Sequence, residues 1–327
     1  MPVKNFVVKR YELPDFAVWN EFVDKAKNAT FLFHRDFMEY HAERFSDFSL
    51  LIFDNAKLVA LLPANKNNNA VHSHQGLTYG GLVILTQTKV ADVIAIFHSV
   101  LQFLNDNQIP TLTIKSIPAI YCDYFSEEFE YALFLAEATL FRRDCLSVLD
   151  LKKPYQLTKT RRQGVRRGVK NNLEIKEETN FALFWNDILI PNMDFKHETT
   201  PVHTLAEIQK LHAIFPENIR QFNVYHEGKI VGGTTVFITK NVIHPQYISG
   251  QADKNELGTL DFLYHHLITE VFANDHYFDF GISNESNGRQ LNEGLIFWKE
   301  SFGIATIIQD FYEVKTANYK LLENVLI

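Results

Sequence analysis

Residues 277–303 read Tyr-Phe-Asp-Phe-Gly-Ile-Ser-Asn-Glu-Ser-Asn-Gly-Arg-Gln-Leu-Asn-Glu-Gly-Leu-Ile-Phe-Trp-Lys-Glu-Ser-Phe-Gly. Tyr277, Phe278 and Phe280 begin an aromatic strand that stops at Gly281. A polar loop follows over 283–290. Leu295, Ile296 and Trp298 then predict a short helix closed by Gly303. A strand, a polar loop and a helix ending in Lys299 can place one ammonium at the lip of a sheet. Ligands of open α/β folds sit at such strand ends. The expected packing buries Leu295, Ile296 and Trp298 against the sheet and turns Lys299 toward the opening.

Working outward, Asp279-Phe280-Gly281 spells the kinase metal motif and His34-Arg35-Asp36 the catalytic-loop motif. A kinase needs the second shortly before the first, with a glycine-rich loop and a strand lysine. Most of the chain separates them here, and the other parts are missing, so a kinase is excluded.

The chain has 327 residues, enough for two domains. With 46% hydrophobic and 13% aromatic residues it can bury large cores, and a net charge of −7 speaks against a general nucleic-acid binder, DNA included. Cys122 and Cys145 stand in no metal or redox spacing, which fits a reducing compartment or mere packing. His72-x-His74 and His265-His266 lack a cysteine or carboxylate to complete a metal set, so no metal is expected. The first residues, Met-Pro-Val-Lys-Asn-Phe, have no signal-peptide apolar core, and no apolar run approaches a membrane span of ~20 residues. A cytoplasmic protein is expected.

A pattern of helix, hairpin, strand, helix, strand occurs twice. Phe16-Ala-Val-Trp-Asn-Glu is echoed by Phe181-Ala-Leu-Phe-Trp-Asn-Asp, and Phe53-Asp-Asn-Ala-Lys-Leu-Val by Tyr225-His-Glu-Gly-Lys-Ile-Val. Val71-His72 keeps the same offset from Ile243-His244. Leu104-Asn-Asp and Ala273-Asn-Asp each close a helix, and the strand from Thr111 matches the strand from Tyr277. One order at nearly constant offset argues for a duplicated unit. The expected domains are 1–151 and 173–327, the latter with a C-terminal helix, joined by a basic linker helix over 152–172. In the linker, Arg162, Arg166 and Lys170 share a face at i, i+4, i+8, while Leu157, Val165 and Val169 form an apolar stripe. Such a cluster reads either as a solvated linker or as a clamp for phosphate oxygens.

The repeated order is that of the GNAT acyltransferase fold. Two such domains around an Arg-Arg-x-x-x-Arg-Arg helix resemble the FemABX-like proteins. The residues that carry the resemblance are Lys159-Thr-Arg-Arg-Gln-Gly-Val-Arg-Arg-Gly-Val-Lys170, Phe278-Asp-Phe-Gly281 and Phe297-Trp-Lys-Glu-Ser-Phe-Gly303. Trp298 precedes the lysine where the family's ending has Phe. The resemblance covers nearly the whole chain. It implies an α/β (α+β) fold of two tandem GNAT-like domains with mixed central sheets. It also implies transfer of an acyl or aminoacyl group to an amine on a sugar nucleotide or cell-envelope precursor. Acyl-CoA is the expected donor, with aminoacyl-tRNA as the alternative; a non-catalytic ligand-binding relative is the competing class. Two departures bear on the donor. Residues 205–215 are too short for the long helical arm of tRNA-using members. The diphosphate loop Gln/Arg-x-x-Gly-x-Gly/Ala is reduced to one glycine, Gly258, although the helix start behind it still favours an anion.

By the same resemblance, Lys299 stabilises charge on the reacting carbonyl; Asp279, mid-strand between aromatics, either orients Lys299, accepts a proton from the amine or forms a structural salt bridge. Arg161, Arg162 and Arg166 hold the phosphates of the acceptor. Tyr247 and Gln251 lie on the strand that faces the acyl donor, and Tyr79 is their neighbour in the first repeat.

Overall fold

The structure is a computed structural model that describes residues 4–197 and 200–325, with the side chains of 194–197 left outside it. The chain divides into two compact units. The first holds the described residues up to Asp144, with Ser286–Arg289 and the chain from Ile308 onward; the second holds Cys145–Glu285 and Gln290–Ile307.

In the first unit, strand β1 (Val7–Arg10) and helix α1 (Phe16–Lys25) precede the hairpin of β2 (Leu50–Asp54) and β3 (Lys57–Leu62). The hairpin turns through Asn55 at φ 54°, a conformation asparagine tolerates better than most residues. A short strand β4 (Ala70–His72), helix α2 (Val90–Asp106) and strand β5 (Thr111–Lys115) follow, then helix α3 (Glu128–Leu135). Strand β4 runs parallel to β5 with Val71 opposite Leu112. On α2, Val93, Ile94, Phe97, Leu101 and Leu104 are all buried, as their spacing predicts. Ala95, Ile96 and Val100 are buried as well, so α2 is enclosed almost all round.

The boundary to the second unit falls within strand β6 (Thr139–Asp150). Helix α4 (Lys159–Lys170) comes next, capped by the Thr158 side chain, which accepts from Arg161 N. Strand β7 (Glu174–Glu178), helical turns over 182–197 and helix α5 (Leu205–Ile214) lead to the hairpin of β8 (Ile219–His226) and β9 (Lys229–Ile238). Strand β10 (Val242–Gly250), the one-turn helix α6 (Lys254–Leu257), helix α7 (Thr259–His266) and strand β11 (Tyr277–Ile282) complete the repeat. Helix α8 (Glu293–Glu300) follows, and strand β12 (Ala305–Lys315) leads to a 3-10 turn at Thr316–Leu322. Within this unit the strand order is β7-β8-β9-β10-β11-β6.

The two repeats agree in register. Strands β10 and β11 are parallel with Ile243 opposite Phe278, the counterpart of Val71 opposite Leu112. The second core gathers Phe222, Val224, Val236, Leu263, Leu267 and Phe278. Within it Tyr264 lies against Phe280 at 5.4 Å and Trp298 at 5.5 Å. Among the described residues no helix is long and apolar enough to cross a membrane.

The buried stripe of α4 is not the valine stripe the spacing suggests. Val169 is exposed, and the buried residues are Gly164 and Gly168. A Cβ on Gly164 would overlap Asp261 Oδ2, and one on Gly168 would come 2.5 Å from the Phe262 Cβ. Two glycines one turn apart thus let α4 lie directly on α7, which outweighs their poor helix propensity.

Candidate functional site

Strands β10 and β11 pair at only two positions, Val242 with Tyr277 and Ile243 with Phe278. Beyond Ile243 they part, although β10 continues to Gly250 and β11 to Ile282. Local chemistry explains the split. Pro245 has no N–H to give to a ladder. Gln246 is an extra residue against β9, because Val236 faces Pro245 and Thr235 faces Tyr247. His244 stands at the fork, with Nδ1 donating to the Asp279 carbonyl at 3.0 Å. On the other side β11 carries its own bulge against β6 between Asp279 and Ile282, where Gly281 takes φ 72°.

The parted edge of β10 borders a cavity of about 610 Å³, within the size range of small-molecule sites. Gln246, Tyr247, Ile248, Ser249 and Gly250 form one wall, Leu260 and Asp261 of α7 another, and Asn292, Gly294, Leu295 and Trp298 a third. Asn192 and Met193 contribute from a fourth side, and Lys254 from α6. The Gln246 Oε1 is buried without a hydrogen-bond partner among the described residues. Asp261 is 6% exposed. Its Oδ1 accepts from the Arg161 guanidinium and from Trp298 Nε1, while burial pushes its carboxyl above the usual range and Arg161 opposes that.

The expected site residues separate. Tyr247 lines the cavity with its hydroxyl 2.6 Å from His203 Nδ1. Arg161 is spent on Asp261. Arg162 and Arg166 border a different cavity, shared with Tyr155 and His265. Gln251 gives its amide to the Ile230 carbonyl at 3.1 Å. Tyr79 belongs to the first unit and is 1% exposed, with its hydroxyl 2.9 Å from Thr30 Oγ1.

Lys299 reverses the expected packing of α8. It is the one buried residue of that helix, at 5% exposure, while Leu295 is 39% and Phe297 62% exposed. Its Nζ donates to the carbonyls of Gly281 at 3.0 Å and Ile282 at 2.6 Å. Both acceptors lie at the end of β11, where the bulge leaves the ladder. Burial lowers its pKa to about 8, and nearby Asp279 pulls the other way. Asp279 is 1% exposed and accepts from the Gly281 N–H at 2.7 Å. Lys299 and Asp279 thus both hold the bulge, Lys299 by its carbonyls and Asp279 by the Gly281 N–H. The anchoring aromatic of α8 is Trp298, packed against Phe280 and Phe302.

The segment before α7 bears on the donor. The N–H groups of Lys254, Leu257 and Gly258 donate to the carbonyls of Gln251, Asp253 and Lys254. Gly258, at φ 80°, packs against the Gly164 carbonyl of α4. Asp253 and Glu256 stand exposed around it. Such a segment offers a diphosphate few free amides and two like charges.

The first unit treats the same place differently. After His72, Ser73 N donates to Thr113 O, Lys115 N to Ser73 Oγ, and Gly80 N to Lys115 O. Gly80 also bridges Ser116 in parallel. The segment 73–80 therefore occupies the edge of β5 that continues past β4. Among the described residues no cluster of three or more His, Cys, Asp or Glu could hold a metal ion.

Sequence reasoning missed Asp261 and Gln246. The signals present were Pro245 inside a strand and the acidic residue in the first turn of α7.

Residues 191–290 match the family model of the acetyltransferase (GNAT) domain. No curated protein matches the sequence. Among solved structures the chain resembles FemX, with a TM-score of 0.65 at 8% identity over 93% of this chain and 96% of that one. It also resembles the C-terminal domain of a putative lysylphosphatidylglycerol synthetase from Agrobacterium fabrum, with a TM-score of 0.59 at 13% identity over 92% and 94% of the two chains. A tandem GNAT protein from the clavulanic acid biosynthesis pathway gives 0.51 at 10% identity over 95% and 99%. Residues 191–290 thus match a GNAT acetyltransferase domain, and the chain as a whole has the tandem GNAT fold seen in FemX.

Proposed function

We propose that the second unit transfers an aminoacyl or acyl group to an amine in the cavity where β10 leaves β11. The parting of the two strands after Ile243 carries this reading. An extended donor can pair with the free edge of β10 as an added strand would. Backbone N–H groups fixed there meet the negative charge that grows on the carbonyl oxygen during attack. The amine nitrogen bonds to the carbonyl carbon, the bond to the leaving oxygen or sulfur breaks, and a proton leaves the nitrogen. Asp261, held in the wall by Arg161 and Trp298, is the carboxylate placed to attract the ammonium form and take that proton. Arg161 is a positioning residue for Asp261, while Lys299 and Asp279 hold the end of β11 in shape.

Asp261→Asn should therefore lower transfer about a hundredfold and raise the KM for the amine. A steady-state titration of the amine at saturating donor measures both; unchanged constants would remove Asp261 from the mechanism.

For the donor, the bonded amides of Lys254, Leu257 and Gly258 and the contact of Gly258 with α4 fit a CoA diphosphate poorly. The exposed Lys159, Arg162, Arg166 and Lys170 of α4 suit the backbone of an aminoacyl-tRNA instead. The similarity in fold to FemX and to a lysylphosphatidylglycerol synthetase domain supports the same choice. The acceptor is an amine on a sugar nucleotide or cell-envelope precursor. Calorimetric titration with acetyl-CoA should give no saturable binding, and tRNA should bind with an affinity that falls steeply as salt rises. Saturable CoA binding without tRNA binding would reverse the choice of donor.

A further inference from the structure

We propose that the cavity bordered by Arg162 and Arg166 is a second ligand subsite, which holds a phosphate group. It lies apart from the transfer cavity. The two share no lining residue, and His265 stands one helical turn beyond Asp261 on α7. Its volume is about 430 Å³, room for a small ligand group rather than a single ion.

Four observations point to an anion. Both arginines are exposed on one face of α4 and line the cavity, with no carboxylate among its lining residues. Arg162 gives one N–H to the Leu157 carbonyl at 3.0 Å, so most of its fork is left over. Tyr155 and His265 line the same cavity, and the Tyr155 hydroxyl and His265 Nδ1 are buried without hydrogen-bond partners among the described residues. The two rings lie nearly parallel with centroids 5.8 Å apart, and this fixes where the hydroxyl sits. A buried hydroxyl with nothing to bond is costly in the empty site, and a ligand oxygen removes that cost. A solvated linker face would account for the arginines but not for the orphaned groups in the same cavity.

The subsite deepens the transfer reading and rests on it only for its purpose. A phosphate here anchors a substrate whose reacting end reaches the other cavity. The phosphate is either the diphosphate of a sugar-nucleotide acceptor or a phosphodiester of an RNA donor.

Inorganic pyrophosphate, UDP and an RNA hairpin with a single-stranded 3′ end are titrated calorimetrically into the full chain at low salt. Replacing Arg162→Ala and Arg166→Ala together should weaken the responding probe about a hundredfold. Tyr155→Phe should weaken it about tenfold while leaving the melting temperature equal or higher, because the hydroxyl has no partner to lose. Gln246→Ala, in the transfer cavity, should leave pyrophosphate affinity unchanged. A response to UDP assigns the phosphate to the acceptor, and a response to RNA alone assigns it to the donor. If no probe depends on both arginines, the subsite is overturned. The transfer chemistry at Asp261 is then unaffected, because transfer to a simple unphosphorylated amine does not use this cavity, whereas the choice of an RNA donor loses the support of Arg162 and Arg166.

Discussion

A Lys299→Met protein should transfer acyl groups about a hundredfold more slowly, with most of the loss in kcat. Methionine keeps the volume of the side chain but gives no N–H. The carbonyls of Gly281 and Ile282 then lose their donor, and the bulged end of β11 is free to shift. A displacement of about 1 Å next to a reacting centre costs roughly a hundredfold. Arginine should not restore the rate, since its planar fork does not fit a slot made for a compact ammonium. Single-turnover kinetics on folded variants gives the answer; normal turnover by Lys299→Met overturns the role. The same residue carries a pH signature. Its pKa is about 8 in the folded protein against 10.5 in an ordinary lysine. Between these values the unfolded chain binds more protons than the folded one, so stability rises with pH across that window. The span corresponds to ~3 kcal/mol, and the penalty is fully present below about pH 8. Denaturant titrations at about pH 7 and about pH 10 should show the rise in the native protein relative to Lys299→Met. Parallel changes in the two proteins would contradict it.

Gly164→Val should destabilise the second unit by about 3 kcal/mol. The new side chain has to occupy the place of Asp261 Oδ2, so α4 and α7 must separate and the Arg161–Asp261 pair is strained. Transfer should fall in the same variant, since Asp261 forms a wall of the cavity. Gly294→Ala is the contrast. It lies in helix α8, and the nearest atom to an added Cβ is Asn292 Oδ1 at 3.8 Å. It should gain about 0.5–1 kcal/mol from reduced backbone entropy alone. Urea midpoints of the two variants against the native protein test both; a Gly164→Val midpoint equal to the native one would show that the helices do not meet as described.

The repeated hairpins and parallel strands were legible because local rules and repeat register agree. Asp54-Asn-Ala-Lys57 and His226-Glu-Gly-Lys229 each carry a turn signal between apolar runs, and the offset of Val71 and Ile243 set which strands pair. The basic helix was legible for the same reason, although it spans 159–170 and not the whole of the expected 152–172. What failed was the side-chain direction on α8. An apolar stripe of Leu295, Ile296 and Trp298 reads as the buried face, yet two carbonyls freed by the Gly281 bulge demand a buried donor, and Lys299 supplies it. A bulge in one strand is not visible from a neighbouring helix. Gly164 and Gly168 are poor helix formers, and only the closeness of α7 shows why they are there. Asp261 could not be singled out because its meaning depends on Arg161, 100 residues earlier in the chain.

The segment 73–80 of the first unit behaves as a ligand that is part of the chain. Through a covalent tether of a few residues it bonds to the edge of β5, the counterpart of β11 beyond the fork. A tethered occupant acts at an effective concentration in the millimolar range or above, and it never diffuses away. A free ligand would have to outcompete it at each encounter. Of the two repeats, the second is the one whose fork holds no such tethered occupant among the described residues.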